Sequence, residues 1–120
     1  MEYKMGEFVP VGAIGDFPEG VMKGVEVGGK EVLVVRSGGK FYAVSARCPH
    51  LGGRLAQGKL EGTVVTCPLH GSQFDLADGH VVRWLKGSGA LSAIARAMKG
   101  PKGLDVYNIE AKGDTVLVEV

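Results

Sequence analysis

Apolar and polar positions along this chain alternate in short runs broken by glycine, the period of half-buried β-strands rather than of helices. Val32, Leu33, Val34 and Val35 stand together between two glycine pairs, Gly28-Gly29 and Gly38-Gly39. An apolar run so bounded predicts a mostly buried strand, with Val32 and Val34 as its more regular face and Phe41 to Ala46 returning beside it. Val64-Val65-Thr66 predicts another strand, and Asp78-Gly79 a two-residue turn between Phe74-Asp75-Leu76 and Val81-Val82. Near the C-terminus, Tyr107 to Ala111 and Thr115 to Val120 read as a hairpin joined by Lys112-Gly113-Asp114. There Val116, Val118 and Val120 alternate against Leu117 and Glu119, which sets one face inward. The fold class predicted is all-β, a compact antiparallel β-sandwich or barrel.

One stretch departs from this rhythm. Between Gly89 and Gly100, Leu91, Ile94, Ala95 and Met98 recur at helical spacing, with Ser92, Arg96 and Lys99 elsewhere around the wheel and Ser88 or Ser92 placed to cap the start. This predicts a short helix over about 89–100. Its apolar face would close one end of the barrel. Between Gly79 and Leu104 there is no acidic residue, whereas Arg83, Lys86, Arg96, Lys99 and Lys102 are all basic, a pattern that would steer an acidic partner if it gathers on one surface.

Length changes the picture by limiting it: 120 residues suffice for one domain with a modest core, read here as 1–120, and leave no room for a second catalytic domain. A net charge of +1 argues against a general nucleic-acid binder and against a membrane-surface protein. There is no long apolar run, and the first residues lack the basic, apolar and small-residue order of a secretion signal, so a cytoplasmic protein is expected, acting as a monomer.

The chemistry is concentrated in two short boxes, Cys48-Pro49-His50-Leu51-Gly52-Gly53 and Cys67-Pro68-Leu69-His70-Gly71-Ser72. They use both cysteines and two of the three histidines, leaving His80 outside, where a structural or solvated role on a strand after a tight turn is expected. The spacing is Cys-X-His, sixteen intervening residues, then Cys-X-X-His, so each loop offers one thiolate and one imidazole to a shared centre. Two thiolates and two imidazoles also suit tetrahedral zinc. Common zinc fingers, however, present a cysteine pair and then a histidine pair, whereas each box here is mixed. Pro49 and Pro68 stiffen the loops, while Gly52, Gly53 and Gly71 permit φ > 0 and close approach of amide N–H groups to a large anionic object, which a cluster with bridging sulfides needs more than zinc does.

These boxes closely resemble those of the Rieske 2Fe-2S family. The resemblance implies that Cys48 and Cys67 hold one iron and His50 and His70 the other, in a small lobe of about residues 45–76 inserted in the sandwich. Rieske proteins of the cytochrome bc complexes carry an additional cysteine in each box, joined as a disulfide. Here those places are Gly53 and Leu69, so the resemblance is to soluble Rieske ferredoxins. Pro101 falls in what resembles the loop covering the cluster, and with Leu51 and Leu69 it would form an apolar collar around His50 and His70.

The function so implied is one-electron transfer without substrate turnover, from a flavin reductase to a terminal oxidoreductase such as a ring-hydroxylating dioxygenase. An alternative is a redox-sensing or electron-transfer small subunit of another oxidoreductase complex. A ring-hydroxylating oxygenase itself would need a much longer chain with a mononuclear-iron domain. By the same resemblance Ser72 stands where a serine bonds a bridging sulfide, and Phe74 where high-potential members carry a tyrosine that bonds a cysteine sulfur. With one donor of the two, the potential should lie in the lower part of the Rieske span of roughly −150 to +300 mV.

Overall fold

The computed structural model describes residues 7–49, 52–68, 71–83 and 103–120. Among them, eleven short strands form three antiparallel sheets, and two single turns of 3-10 helix, Ile14–Asp16 and Leu55–Gln57, are the helical elements. The middle sheet runs β2 (Met22–Val27), β3 (Lys30–Ser37), β4 (Lys40–Ser45), β9 (Val106–Tyr107). Against one face lie β1 (Phe8–Ala13), β11 (Thr115–Glu119) and β10 (Ile109–Lys112), in that order. Against the other lies a small lobe of β5 (Lys59–Glu61), β6 (Val64–Thr66), β7 (Gln73–Asp75) and β8 (Val81–Arg83).

β3 explains how the layers stay together. Successive strand residues point to opposite faces, and here both faces are covered, so Val32, Leu33, Val34 and Val35 are all fully buried. Val32 and Val34 join Ala43, Val116, Val118, Phe17 and Val27 in the core of the sandwich. Leu33 and Val35 join Val44, Leu55, Val65, Phe74, Leu76 and both cysteines in the core beneath the lobe. Each such side chain is worth roughly 1.5–3 kcal/mol when fully buried, so one strand ties the lobe to the sandwich through two separate cores.

Tight turns hold the register of the middle sheet. Val27 pairs with Lys30 and Ser37 with Lys40, which leaves Gly28-Gly29 and Gly38-Gly39 as two-residue turns with φ of 55°, 80°, 62° and 78°. Positive φ at both central positions is what a twisted hairpin of this length requires. The Glu19 carboxylate accepts the N–H groups of Gly39 at 3.0 Å and Gly38 at 2.6 Å, and these two bonds hold its pKa below the ordinary carboxylate value.

The structure corrects three local expectations. The strand expected from Tyr107 to Ala111 is divided: β9 ends at Tyr107 and pairs with β4, and β10 starts at Ile109 and pairs with β11. Asn108 marks the change of sheet, with its carbonyl accepting the Glu119 N–H and its side-chain amide donating to Glu119 Oε1. The turn at Asp78-Gly79 is wider than two residues. The Asp75 N–H bonds the His80 carbonyl and the Gly79 N–H bonds the Asp75 carbonyl, so residues 76–79 all lie within the loop. Finally, β1 and β2 are strands that apolar alternation did not reveal. Pro10 and a bulge between Pro10 and Gly12 break the pattern of β1, and Gly24 interrupts β2. β1 tolerates a proline because it pairs on one side only. The helix expected over 89–100 lies outside the described residues.

Candidate metal centre

Two loops with the same hydrogen-bond pattern carry the cysteine boxes. The first leaves β4, and its base is closed by an antiparallel bridge between Arg47 and Arg54. The second connects β6 to β7 and is closed by the Thr66–Gln73 pair, whose side chains also bond at 3.1 Å. Inside the first, the Cys48 N–H donates to the Gly53 carbonyl at 2.8 Å and the Gly52 N–H to the Cys48 carbonyl at 2.8 Å. Inside the second, the Cys67 N–H donates to the Ser72 carbonyl at 2.7 Å and the Gly71 N–H to the Cys67 carbonyl at 3.2 Å. Gly52 and Gly71 take φ of 73° and 74°, values that strain any residue with a Cβ. Positive φ therefore falls at these two glycines and not at Gly53, which is buried instead.

Both loops turn their cysteines inward. Cys48 is 2% exposed and Cys67 3%, neither is in a disulfide, and both belong to one apolar cluster with Leu55, Val65, Phe74 and Leu104. An apolar wall behind the sulfurs keeps water from competing for a metal–thiolate bond. Ser72 is fully buried, and Phe74 is fully buried in the same cluster as the two cysteines. The donor set thus suits an iron–sulfur group held at the outer face of the lobe core: two cysteines outside any disulfide, from equivalent loops, with hydrocarbon beneath them.

The described residues show half of the sequence-derived ligand set. His50 and His70 lie outside them, as do Leu51, Leu69 and Pro101 of the expected collar and Lys86, Arg96, Lys99 and Lys102 of the basic stretch. Among the described residues no group of three or more His, Cys, Asp or Glu side chains could hold a metal ion. His80 is exposed at the 75–80 loop, where its Nδ1 pairs with Asp78. That hydrogen bond raises the His80 pKa above its ordinary value, so the contribution of the pair to stability is present below the ordinary imidazole pKa and lost as the pH rises through the raised one.

The sequence did not reveal the roles of three contributors, Arg83 having been read there only as part of a basic stretch. The Arg47 guanidinium donates from Nη1 to the Gly52 carbonyl at 3.1 Å, and Arg83 donates from Nε and Nη2 to the Gly71 carbonyl at 3.1 and 3.0 Å. Gly58 follows the 3-10 turn and lies so close to Thr66, the residue before Cys67, that a Cβ there would sit 1.9 Å from the Thr66 carbonyl oxygen. No spacing rule in the sequence marks these contacts: Arg83 and Gly58 act on another element, and Arg47 acts within its own loop only once the loop has closed.

Three comparisons bear on this centre. The family model described as the Rieske [2Fe-2S] domain matches residues 7–94. The ferredoxin component of the naphthalene 1,2-dioxygenase system of Pseudomonas aeruginosa is 30% identical over 110 residues, which cover 90% of this chain and 90% of that protein. Among solved structures, the ferredoxin of carbazole 1,9a-dioxygenase from Nocardioides aromaticivorans IC177 is similar with a TM-score of 0.77 and 26% identity, over 93% of this chain and 96% of that one. A ferredoxin solved in complex with the reduced oxygenase of carbazole 1,9a-dioxygenase is similar with a TM-score of 0.73 and 29% identity, over 92% of this chain and 99% of that one.

Proposed function

Because the chain belongs to the Rieske 2Fe-2S family, we propose that it is a one-electron carrier that passes electrons from a flavin reductase to the terminal oxygenase of a ring-hydroxylating dioxygenase system. The observation that carries this reading is the pair of equivalent loops, each delivering a buried cysteine to the same apolar cluster. Similar proteins that span nearly the same length are ferredoxin components of such systems, and one of them has been solved with its oxygenase. The chain is a component of a multi-protein oxidoreductase, not an enzyme with a substrate of its own.

When bound, the cluster supplies a centre that takes up and gives back one electron at a higher potential than an all-cysteine cluster. Cys48 and Cys67 would hold one iron, and His50 and His70 the other. The chain's own contribution is to fix both loops in one geometry and to back the sulfurs with Val65, Leu55 and Phe74. We place the protein in the cytoplasm: neither cysteine is in a disulfide, which suits a reducing compartment. Among the described residues no helix is long and apolar enough to cross a membrane.

Anaerobic purification tests the cofactor. About two irons and two acid-labile sulfides per chain are expected, with the low-average-g EPR signal of a reduced Rieske centre. A colourless protein with a single zinc would overturn it. Mixing the loaded protein with the reductase and oxygenase of a ring-hydroxylating system tests the partner. Reduction by the first and reoxidation by the second are expected, and a carrier that the oxygenase leaves reduced would overturn that assignment.

Ser72 and Phe74 make the tuning of the potential measurable. A hydrogen bond to the cluster worth about 1 to 1.5 kcal/mol in the reduced state corresponds to roughly 40 to 65 mV for one electron. Ser72→Ala should lower the potential by that order. Phe74→Tyr should raise it if the added hydroxyl reaches a cysteine sulfur. Since Phe74 is fully buried, a hydroxyl that finds no acceptor would instead cost about 1–3 kcal/mol of stability at unchanged potential. Voltammetry and a melting curve on the same sample separate the two outcomes.

A further inference from the structure

Arg47 and Arg83 come from unrelated places, yet both reach the same carbonyl of the two equivalent loops. Arg47 lies at the base of the first loop itself and bonds the Gly52 carbonyl, while Arg83 lies on β8 and bonds the Gly71 carbonyl with two N–H groups. In the second loop the position equivalent to Arg47 is Thr66, so what the two loops share is the anchored carbonyl and not the residue that anchors it. Arg47 is itself held from β3, where its Nε and Nη2 bond the Glu31 carboxylate at 2.6 and 3.3 Å. The pair pulls the Glu31 pKa below its ordinary value and raises that of Arg47.

The peptide bond gives the consequence. In a planar trans peptide the C=O and the N–H of the next residue point in opposite directions. A guanidinium that fixes the Gly52 carbonyl therefore turns the Gly53 N–H to the far side of the loop, and one that fixes the Gly71 carbonyl does the same for the Ser72 N–H. Gly53 and Ser72 are both buried, and each supplies the carbonyl that accepts the N–H of its own loop's cysteine.

We infer that Arg47, tethered by Glu31, and Arg83 are positioning residues for the cluster: they orient the Gly53 and Ser72 peptides so that the N–H groups face the cluster side of the loops. This rests on the Rieske reading above. The guanidinium fork matters, because Arg83 bonds one carbonyl from two nitrogens, which an ammonium cannot reproduce in the same plane.

The test uses the purified loaded protein and its Arg83→Met, Arg83→Lys, Arg47→Ala and Glu31→Ala variants. Three quantities are read: the reduction potential, the half-life of visible absorbance in excess iron chelator, and the melting temperature of the cluster-free form. Arg83→Met and Arg83→Lys should both shift the redox equilibrium about tenfold toward the oxidised form, about 59 mV downward. Both should also shorten the half-life about tenfold. Arg47→Ala should act in the same direction, with Glu31→Ala weaker.

A lysine variant that matches the wild type would overturn the inference, since charge alone would then suffice. So would a potential and half-life unchanged in every variant, including the case where only the melting temperature of the cluster-free form falls. Should Arg83→Met fail to fold, the exposed Arg47→Ala carries the same prediction. A wild-type protein without two irons and two sulfides would remove the Rieske reading and the inference together. Unaffected variants of a loaded wild type would remove the inference alone.

Discussion

Cys67→Ala is expected to give a folded but colourless protein. Cys67 is 3% exposed and sits in the core beneath the lobe, so the substitution removes one sulfur from a cluster that keeps Leu33, Val35, Val44, Val65, Phe74 and Leu76. That packing loss is of the order of 1 kcal/mol, well within what a domain of this size tolerates. The metal site loses far more, because a cluster bound through thiolate has no replacement ligand at that position: Cys48 is the other cysteine of the chain, and it already serves the equivalent loop. Iron and acid-labile sulfide should fall from about two each to near zero. The melting temperature should drop to that of the cluster-free wild type, since a group that binds only the folded state stabilises it by mass action. His80→Ala, on an exposed loop outside the boxes, should keep full colour. Retention of two irons in Cys67→Ala would sink the ligand assignment.

Gly58→Ala is expected to be strongly destabilising. An added Cβ would lie 1.9 Å from the Thr66 carbonyl oxygen, 3.0 Å from its carbon and 3.2 Å from Cδ of Pro68. The obstacle is backbone, which cannot swing aside as a flexible side chain would, and the segment it belongs to leads directly into Cys67. Gly58 has φ −87° and ψ −153°, so the problem is contact rather than backbone conformation. Overpacking of this kind costs about 3 kcal/mol or more, equivalent to roughly 10 °C or more in melting temperature for a domain of this length. The shifted Thr66–Pro68 segment should also weaken cluster retention. Gly24→Ala is the control: its Cβ meets nothing within 4 Å, its φ is not positive, and it is exposed on β2. It should be neutral or slightly stabilising. A Gly58→Ala protein that melts with the wild type would show that the close approach is relieved by a small shift of the 3-10 turn.

What the sequence determined by itself was local. Glycine pairs that need φ > 0 placed the turns on either side of Val32–Val35, and alternation at Val116 and Val118 oriented the last strand, because turn chemistry and strand period act over a few residues. The two boxes were legible for the same reason: thiolate, imidazole, proline and glycine at fixed short spacing are a local pattern with chemical meaning. The tertiary structure alone decided everything that depends on a second segment. Whether Leu33 and Val35 are buried depends on a lobe that folds onto them, not on their own strand. The break at Asn108 exists because one strand must serve two sheets. The equivalence of the two loops, the hold of Arg83 on the Gly71 carbonyl and the approach of Gly58 to Thr66 follow from how separate elements meet, so no periodicity within any one of them could announce these contacts.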